Sequence, residues 1–105
     1  MSTLSTHVLD AVLGAPAADV TVTLFDWDGT ELATGRTDSD GRVGALAELP
    51  VGAYRLRFDT GGYFTAQGVD AFYPEVIIAF TVTGERHYHV PLLLSPFAYS
   101  TYRGS

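Results

Sequence analysis

The sequence predicts an all-β fold: an antiparallel two-sheet β-sandwich of about eight strands with one short helix. Three observations predict it. Apolar and polar residues alternate in run after run, as at Val20–Phe25 and Tyr54–Phe58, the pattern of strands with one face on a core. Turn signals recur about every ten residues. Helical character is confined to one weak stretch near Tyr63. At 105 residues the chain fits a single domain, residues 1–105, large enough to bury one core.

The first strand is expected over Leu4–Val12, ended by the turn residues Gly14-Ala15-Pro16. Its alternation places His7 on one face with Ser5 and Leu9. In Val20–Phe25, Val20, Val22 and Leu24 face one way while Thr21, Thr23 and Phe25 face the other. Asp28-Gly29 marks a hairpin, because both residues tolerate positive φ, and Glu31–Thr37 returns beside that strand. Asp38-Ser39-Asp40-Gly41 then turns into a short strand from Arg42 to Leu46. The acidic residues of this turn lack the calcium-loop pattern with its closing Glu. Leu49–Gly52 turns into Tyr54–Phe58, with Tyr54, Leu56 and Phe58 inward and Arg55 and Arg57 outward. Gly61-Gly62 breaks the pattern, and Tyr63–Gln67 suggests one helical turn. Glu75–Val82 resumes as a strand with Val76, Ile78, Phe80 and Val82 on one face. Thr83–Arg86 turns, His87–Leu94 runs back, and Ser95-Pro96 interrupts before a last strand from about Ala98 to Tyr102. Pro91 calls for an edge, a bulge or an unpaired position.

Composition narrows the function. Twelve acidic residues against six basic ones give a net charge of -6, which disfavours a nucleic-acid partner, since such binding draws on clustered cations. The six basic residues are all arginines, so no Schiff-base lysine exists and any arginine in a cleft is a candidate for bidentate ligand recognition. Absence of cysteine removes disulfides, thiolate catalysis and cysteine-bound metal. No signal-like N-terminus or apolar run of membrane-spanning length is seen, so a cytoplasmic protein without membrane association is expected. Charged residues make up only 17%, against roughly 25% in an average soluble protein. A second subunit is expected to cover part of the surface.

Residues 14–63 resemble the prealbumin-like sandwich modules, a likeness of turns and strand faces that carries no chemistry. Four other segments are more specific: HVLD at His7–Asp10, TDSDGR at Thr37–Arg42, FYPE at Phe72–Glu75, and the closing HYHVPLLLSPFAYSTYRGS. Together they resemble the transthyretin-related 5-hydroxyisourate hydrolases over essentially the whole chain. The YRGS ending separates these hydrolases from the carrier transthyretin. The resemblance implies a homotetramer with sites in a channel where dimers meet, and metal-free, cofactor-free hydrolysis of 5-hydroxyisourate. Carried over residue by residue, it implies a site of His7, Arg42, His89, Tyr102, Arg103, Gly104 and Ser105, with His87 in a supporting role.

Opening a ring amide with water needs a base, donors for the oxyanion, and groups that hold the ring in register. Either His7 or His89 suits the first role, because imidazole is basic yet largely neutral near pH 7. Arg42 and Arg103 suit the others as fixed cations with forked donors. Gly104 permits close approach of backbone to ligand, and Ser105 brings a hydroxyl and the α-carboxylate. Three alternatives compete: a serine nucleophile, for which no G-x-S-x-G elbow exists; a zinc site of His7, His87 and His89; and a non-catalytic carrier of a small aromatic ligand.

Overall fold

The computed structural model describes Met1–Ser105. In chain order the elements are β1 (Ser2–Asp10), β2 (Ala15–Pro16), β3 (Thr21–Asp26), β4 (Glu31–Arg36), β5 (Arg42–Leu49), β6 (Gly52–Phe58), α1 (Thr60–Ala66), β7 (Val76–Val82), β8 (His87–Leu94) and β9 (Tyr99–Thr101). One sheet runs β2-β1-β8-β9 with β5 also paired to β1, and the other runs β4-β3-β6-β7. This is the two-sheet sandwich the alternation predicts. One pair, β1 with β8, is parallel. The whole second sheet intervenes between those two strands, a connection long enough to return the chain in the same direction.

Inward residues of both sheets form the core. Leu4 and Val8 of β1, Val22 and Leu24 of β3, Leu56 and Phe58 of β6, Val76 and Val82 of β7, and Leu92 and Leu94 of β8 are all buried. Tyr54 is buried too, while Arg55 and Arg57 lie outward as predicted. Each of these arginines is occupied locally. Arg55 stacks 3.8 Å over the Trp27 ring, and Arg57 forms the chain's one ion pair, 3.4 Å from Glu75. Polar residues on the inward face of β1 are satisfied there: Thr6 donates to the Val90 carbonyl at 2.6 Å. The Asp10 carboxylate accepts from the Val12 and Leu13 amides and from the Tyr63 hydroxyl.

Several boundaries differ from the sequence expectation. Ala15-Pro16, expected as turn, pairs with Leu9 and Asp10 as β2, because it extends the edge of β1 where β5 has already left. The helix starts at Thr60 instead of Tyr63, since the Asp59 carboxylate caps it by accepting from the Gly62 amide at 3.1 Å. Helix capping and the Tyr63–Asp10 bond outweigh the low helix propensity of the two glycines. Pro91 lies inside β8 in register with His7 of β1, and only on its other side does it lack a strand partner. Leu92 faces Thr101 and His89 faces Gly104 in one register, so Pro91 stands opposite Tyr102, where it has no N–H to donate.

Candidate active site

Alternation decides which side chains meet. On β1 the residues Thr3, Ser5 and His7 point away from the core; on β8 the same face carries His87, His89 and Pro91. The parallel register sets Thr3 beside His87, Ser5 beside His89 and His7 beside Pro91. On the other edge of β1, His7 pairs with Arg42 of β5. The tail that follows β9 returns alongside β8, its Gly104 amide donating to the His89 carbonyl at 2.8 Å. Four distant segments thus converge on the outer face of one sheet.

A hollow of about 230 Å³ lies among them, lined by Ser5, Arg42, Gly44, His87, His89 and Ser105. Its room comes from an irregularity in β5. Thr6 pairs with Val43 but Leu4 with Ala47, so a bulge of extra β5 residues, beginning with Gly44, lies opposite Ser5. No apolar side chain enters the lining. A larger hollow, about 500 Å³, lies over α1 between Asp19, Arg36, Asp59 and Gln67. It holds two carboxylates and an arginine but no histidine, whereas the smaller one gathers two histidines with an arginine and is the better equipped for adding water near neutral pH.

The TDSDGR turn places two of the site residues. Asp38 accepts from the Asp40 and Arg42 amides at 2.9 and 3.0 Å, and these bonds hold its carboxyl below the usual 3.8. Gly41 has φ 75° and donates to the Asp38 carbonyl, while its own carbonyl accepts from Val8. A Cβ at Gly41 would come 2.4 Å from the Val8 carbonyl oxygen, so only glycine lets the turn lie against β1. Seated there, the Asp40 carbonyl receives the Nε2–H of His7 at 2.9 Å. A carbonyl can only accept, so the proton sits on Nε2 and His7 keeps a bare Nδ1. The Arg42 guanidinium has no carboxylate partner.

His89 is the centre of the cluster. Burial, then the positive charge of Arg42, pushes its pKa below 6.5. It is therefore neutral, and able to take a proton, at pH 7. Its Nδ1 lies 2.7 Å from Ser5 Oγ, which is also 2.8 Å from His87 Nε2. His87 Nδ1 lies 2.5 Å from Thr3 Oγ1. Gly104 packs against the His89 ring so closely that a Cβ would come 2.4 Å from Cδ2.

The structure thus places Arg42, His89 and Ser105 in the lining, with Gly104 packed on the His89 ring and His7 beside Arg42 just outside it. Tyr102, mostly exposed, stands opposite Pro91 and outside this hollow's lining. Arg103 goes elsewhere. It stands opposite Val90, a core-facing residue, and its guanidinium lies 4.9 Å over the Tyr88 ring. There it borders another hollow of about 310 Å³, which Ile78, Phe80, Tyr88, Tyr102 and His89 itself also line. Sequence reading passed over Ser5 and Thr3, although Ser5 shares the face of His7 by alternation. Their significance depends on the parallel pairing with β8, which no local pattern reveals. No three His, Asp or Glu donors converge as a metal site.

A two-sheet sandwich with a histidine and arginine cluster on the outer face of one sheet defines a transthyretin-like protein. The profile of the HIUase/Transthyretin family matches residues 4–104, and the chain belongs to that family. It is 49% identical over 110 residues to a 5-hydroxyisourate hydrolase of Salmonella dublin, covering 97% of this chain and 80% of the relative. Among solved structures, Klebsiella pneumoniae 5-hydroxyisourate hydrolase superimposes with a TM-score of 0.93 at 42% identity, covering 100% of this chain and 94% of that one. Transthyretin from Sparus aurata gives 0.91 at 38% identity, covering 99% and 97%. Since hydrolase and transthyretin match the backbone almost equally, the fold does not separate an enzyme from a carrier. The side chains of the site must do so.

Proposed function

We propose that the chain is an enzyme that hydrolyses 5-hydroxyisourate in urate and purine breakdown, adding water to a ring amide carbonyl so that the six-membered ring opens. The observation that carries this reading is the convergence of an unpaired arginine with a neutral, partly buried histidine in one polar hollow. Both named hydrolase relatives point the same way.

His89 takes a proton from water through Nε2 as the hydroxide adds to the carbonyl carbon. The Arg42 guanidinium faces the oxyanion that forms, and its fixed charge needs no reorganisation there. His7, with its bare Nδ1, accepts from a ring N–H and keeps the substrate in register. Ser105 closes the hollow at the tail. When the tetrahedral adduct collapses, the C–N bond breaks and the leaving nitrogen recovers the proton. No step calls for a metal. The working unit is a homotetramer in the cytoplasm with its sites where dimers meet, an arrangement in which a partner covers the outer face that carries this hollow.

The test is the ultraviolet absorbance decay of freshly generated 5-hydroxyisourate. The wild-type chain accelerates it; His89→Ala and Arg42→Ala each lower kcat/KM by about two orders of magnitude or more while remaining folded. Full activity in both variants refutes the assignment. Saturable binding of a small aromatic ligand with no turnover supports a carrier instead.

A further inference from the structure

We propose that Thr3, Ser5 and His87 form a hydrogen-bonded relay behind His89, which sets the ring nitrogen that His89 presents as base and carries its surplus proton to His87. The inference rests on the hydrolase reading of His89 and adds three positioning residues to it. It begins from four contacts in a row: Arg86 carbonyl, Thr3 Oγ1, His87, Ser5 Oγ, His89.

The Thr3 hydroxyl lies within reach of both the Arg86 carbonyl and His87 Nδ1; the relay assigns it as donor to the carbonyl, and the direction of the row follows from that assignment. The Arg86 carbonyl accepts, so Thr3 spends its single hydroxyl proton there, at 3.4 Å. Thr3 Oγ1 then accepts from His87 Nδ1–H, at 2.5 Å. With its proton on Nδ1, neutral His87 must accept at Nε2, and the Ser5 hydroxyl donates to it at 2.8 Å. Ser5 Oγ is left to accept from His89 Nδ1–H, at 2.7 Å. His89 therefore holds its proton on Nδ1 and keeps a bare Nε2. One backbone carbonyl, four links away, orients the base.

The same row can move charge. When Nε2 of His89 takes a proton from water, its Nδ1 proton passes to Ser5 Oγ and the Ser5 proton passes to His87 Nε2. The result is neutral His89 protonated at Nε2, Ser5 restored, and His87 as imidazolium. One proton has left the water, one has arrived on His87, and no bond other than N–H and O–H has changed in the relay. The reverse shift returns the proton to the leaving nitrogen. The cation ends on His87, which is exposed, instead of on His89, which is partly buried. Around His89 the other charged or titratable groups are His7 from β1, Arg42 from β5, His87 on its own strand, and Tyr102, Arg103 and the Ser105 α-carboxylate from the tail. The tail also contributes Gly104. A cation on His89 beside Arg42 is the arrangement the relay avoids.

The test uses wild type, Ser5→Ala, His87→Gln and the double variant. Histidine 15N–1H two-bond NMR spectra of wild type are expected to show His89 as the Nδ1–H tautomer, and Ser5→Ala is expected to lose that preference. In turnover of 5-hydroxyisourate, each single variant lowers kcat about tenfold, leaves KM within about twofold, and shifts the acid limb of the pH profile. The double variant is no slower than the slower single, because both break one chain. Wild-type kcat and pH profile in both singles, additive losses in the double, or a wild-type His89 protonated at Nε2 overturns the relay. His87 is exposed, so His87→Gln decides the matter if Ser5→Ala does not fold. Wild type without turnover refutes the hydrolase reading, while the NMR tautomer still judges the relay separately.

Discussion

His89 works because its surroundings disfavour its own charged form. Partial burial comes first, and the fixed charge of Arg42 adds to it, so the ring stays unprotonated below its ordinary 6.5. The sign of the consequence follows from linkage. An unfolded chain protonates this imidazole near 6.5 and the folded one only at lower pH, so stability present above 6.5 is lost as pH falls through the lowered value. Thermal melts are expected to show a midpoint that drops on acidification below pH 6.5, with a shallower drop in His89→Gln. An identical pH slope in that variant would remove His89 as the source. Tyr63 offers a second residue-scale prediction. Its hydroxyl donates to the buried Asp10 carboxylate at 2.8 Å, and burial followed by that carboxylate raises its pKa above 10. Tyr63→Phe leaves one Asp10 oxygen without this donor and is expected to cost about 1–3 kcal/mol in a denaturant titration.

At the scale of elements, the TDSDGR turn and the β5 bulge do most of the positioning. The turn holds Asp40 against His7 and starts β5 at Arg42, so it delivers the cation and sets the tautomer of a histidine together. Gly41→Ala meets both a positive φ and the Val8 carbonyl. The expected cost is about 2–5 kcal/mol, combining backbone strain with overpacking, and activity should fall further than stability explains because His7 and Arg42 move with the turn. A variant as active and as stable as wild type would show that the turn is not rigidly seated. This turn was legible in the sequence as a turn, since Asp-Ser-Asp-Gly has the local chemistry for one. Its contact with β1 was not legible, because the carbonyl of Val8 lies far away along the chain. Gly104 is similar. The sequence reading assigned it room for a ligand, whereas its missing Cβ makes room for the His89 ring.

For the whole molecule, the exposed apolar side chains deserve a physical account. Ile77 on β7, Phe97 and Tyr99 near β9, and Tyr102 on the tail are 42–67% exposed. β7 and β9 each end a sheet, so these residues accompany free strand edges, which natural proteins seldom leave bare. Light scattering after size exclusion is expected to give four times the 11.3 kDa chain mass; a monomer at micromolar concentration would contradict the tetramer. No helix is long and apolar enough to cross a membrane.

The sequence by itself determined most strands and the inward residues, because alternation and turn chemistry are local properties of neighbouring residues, while its resemblance to a known family supplied His7, Arg42, His89 and Ser105 as candidates. The tertiary structure decided the rest: that β1 and β8 run parallel, that Ser5 therefore bridges two histidines, and that Arg103 turns away onto Tyr88. The first two outcomes depend on register between strands more than eighty residues apart, counted from the Ser5 to His89 pairing. A strand's own pattern says which face each side chain takes, but only the partner strand says what it will touch there.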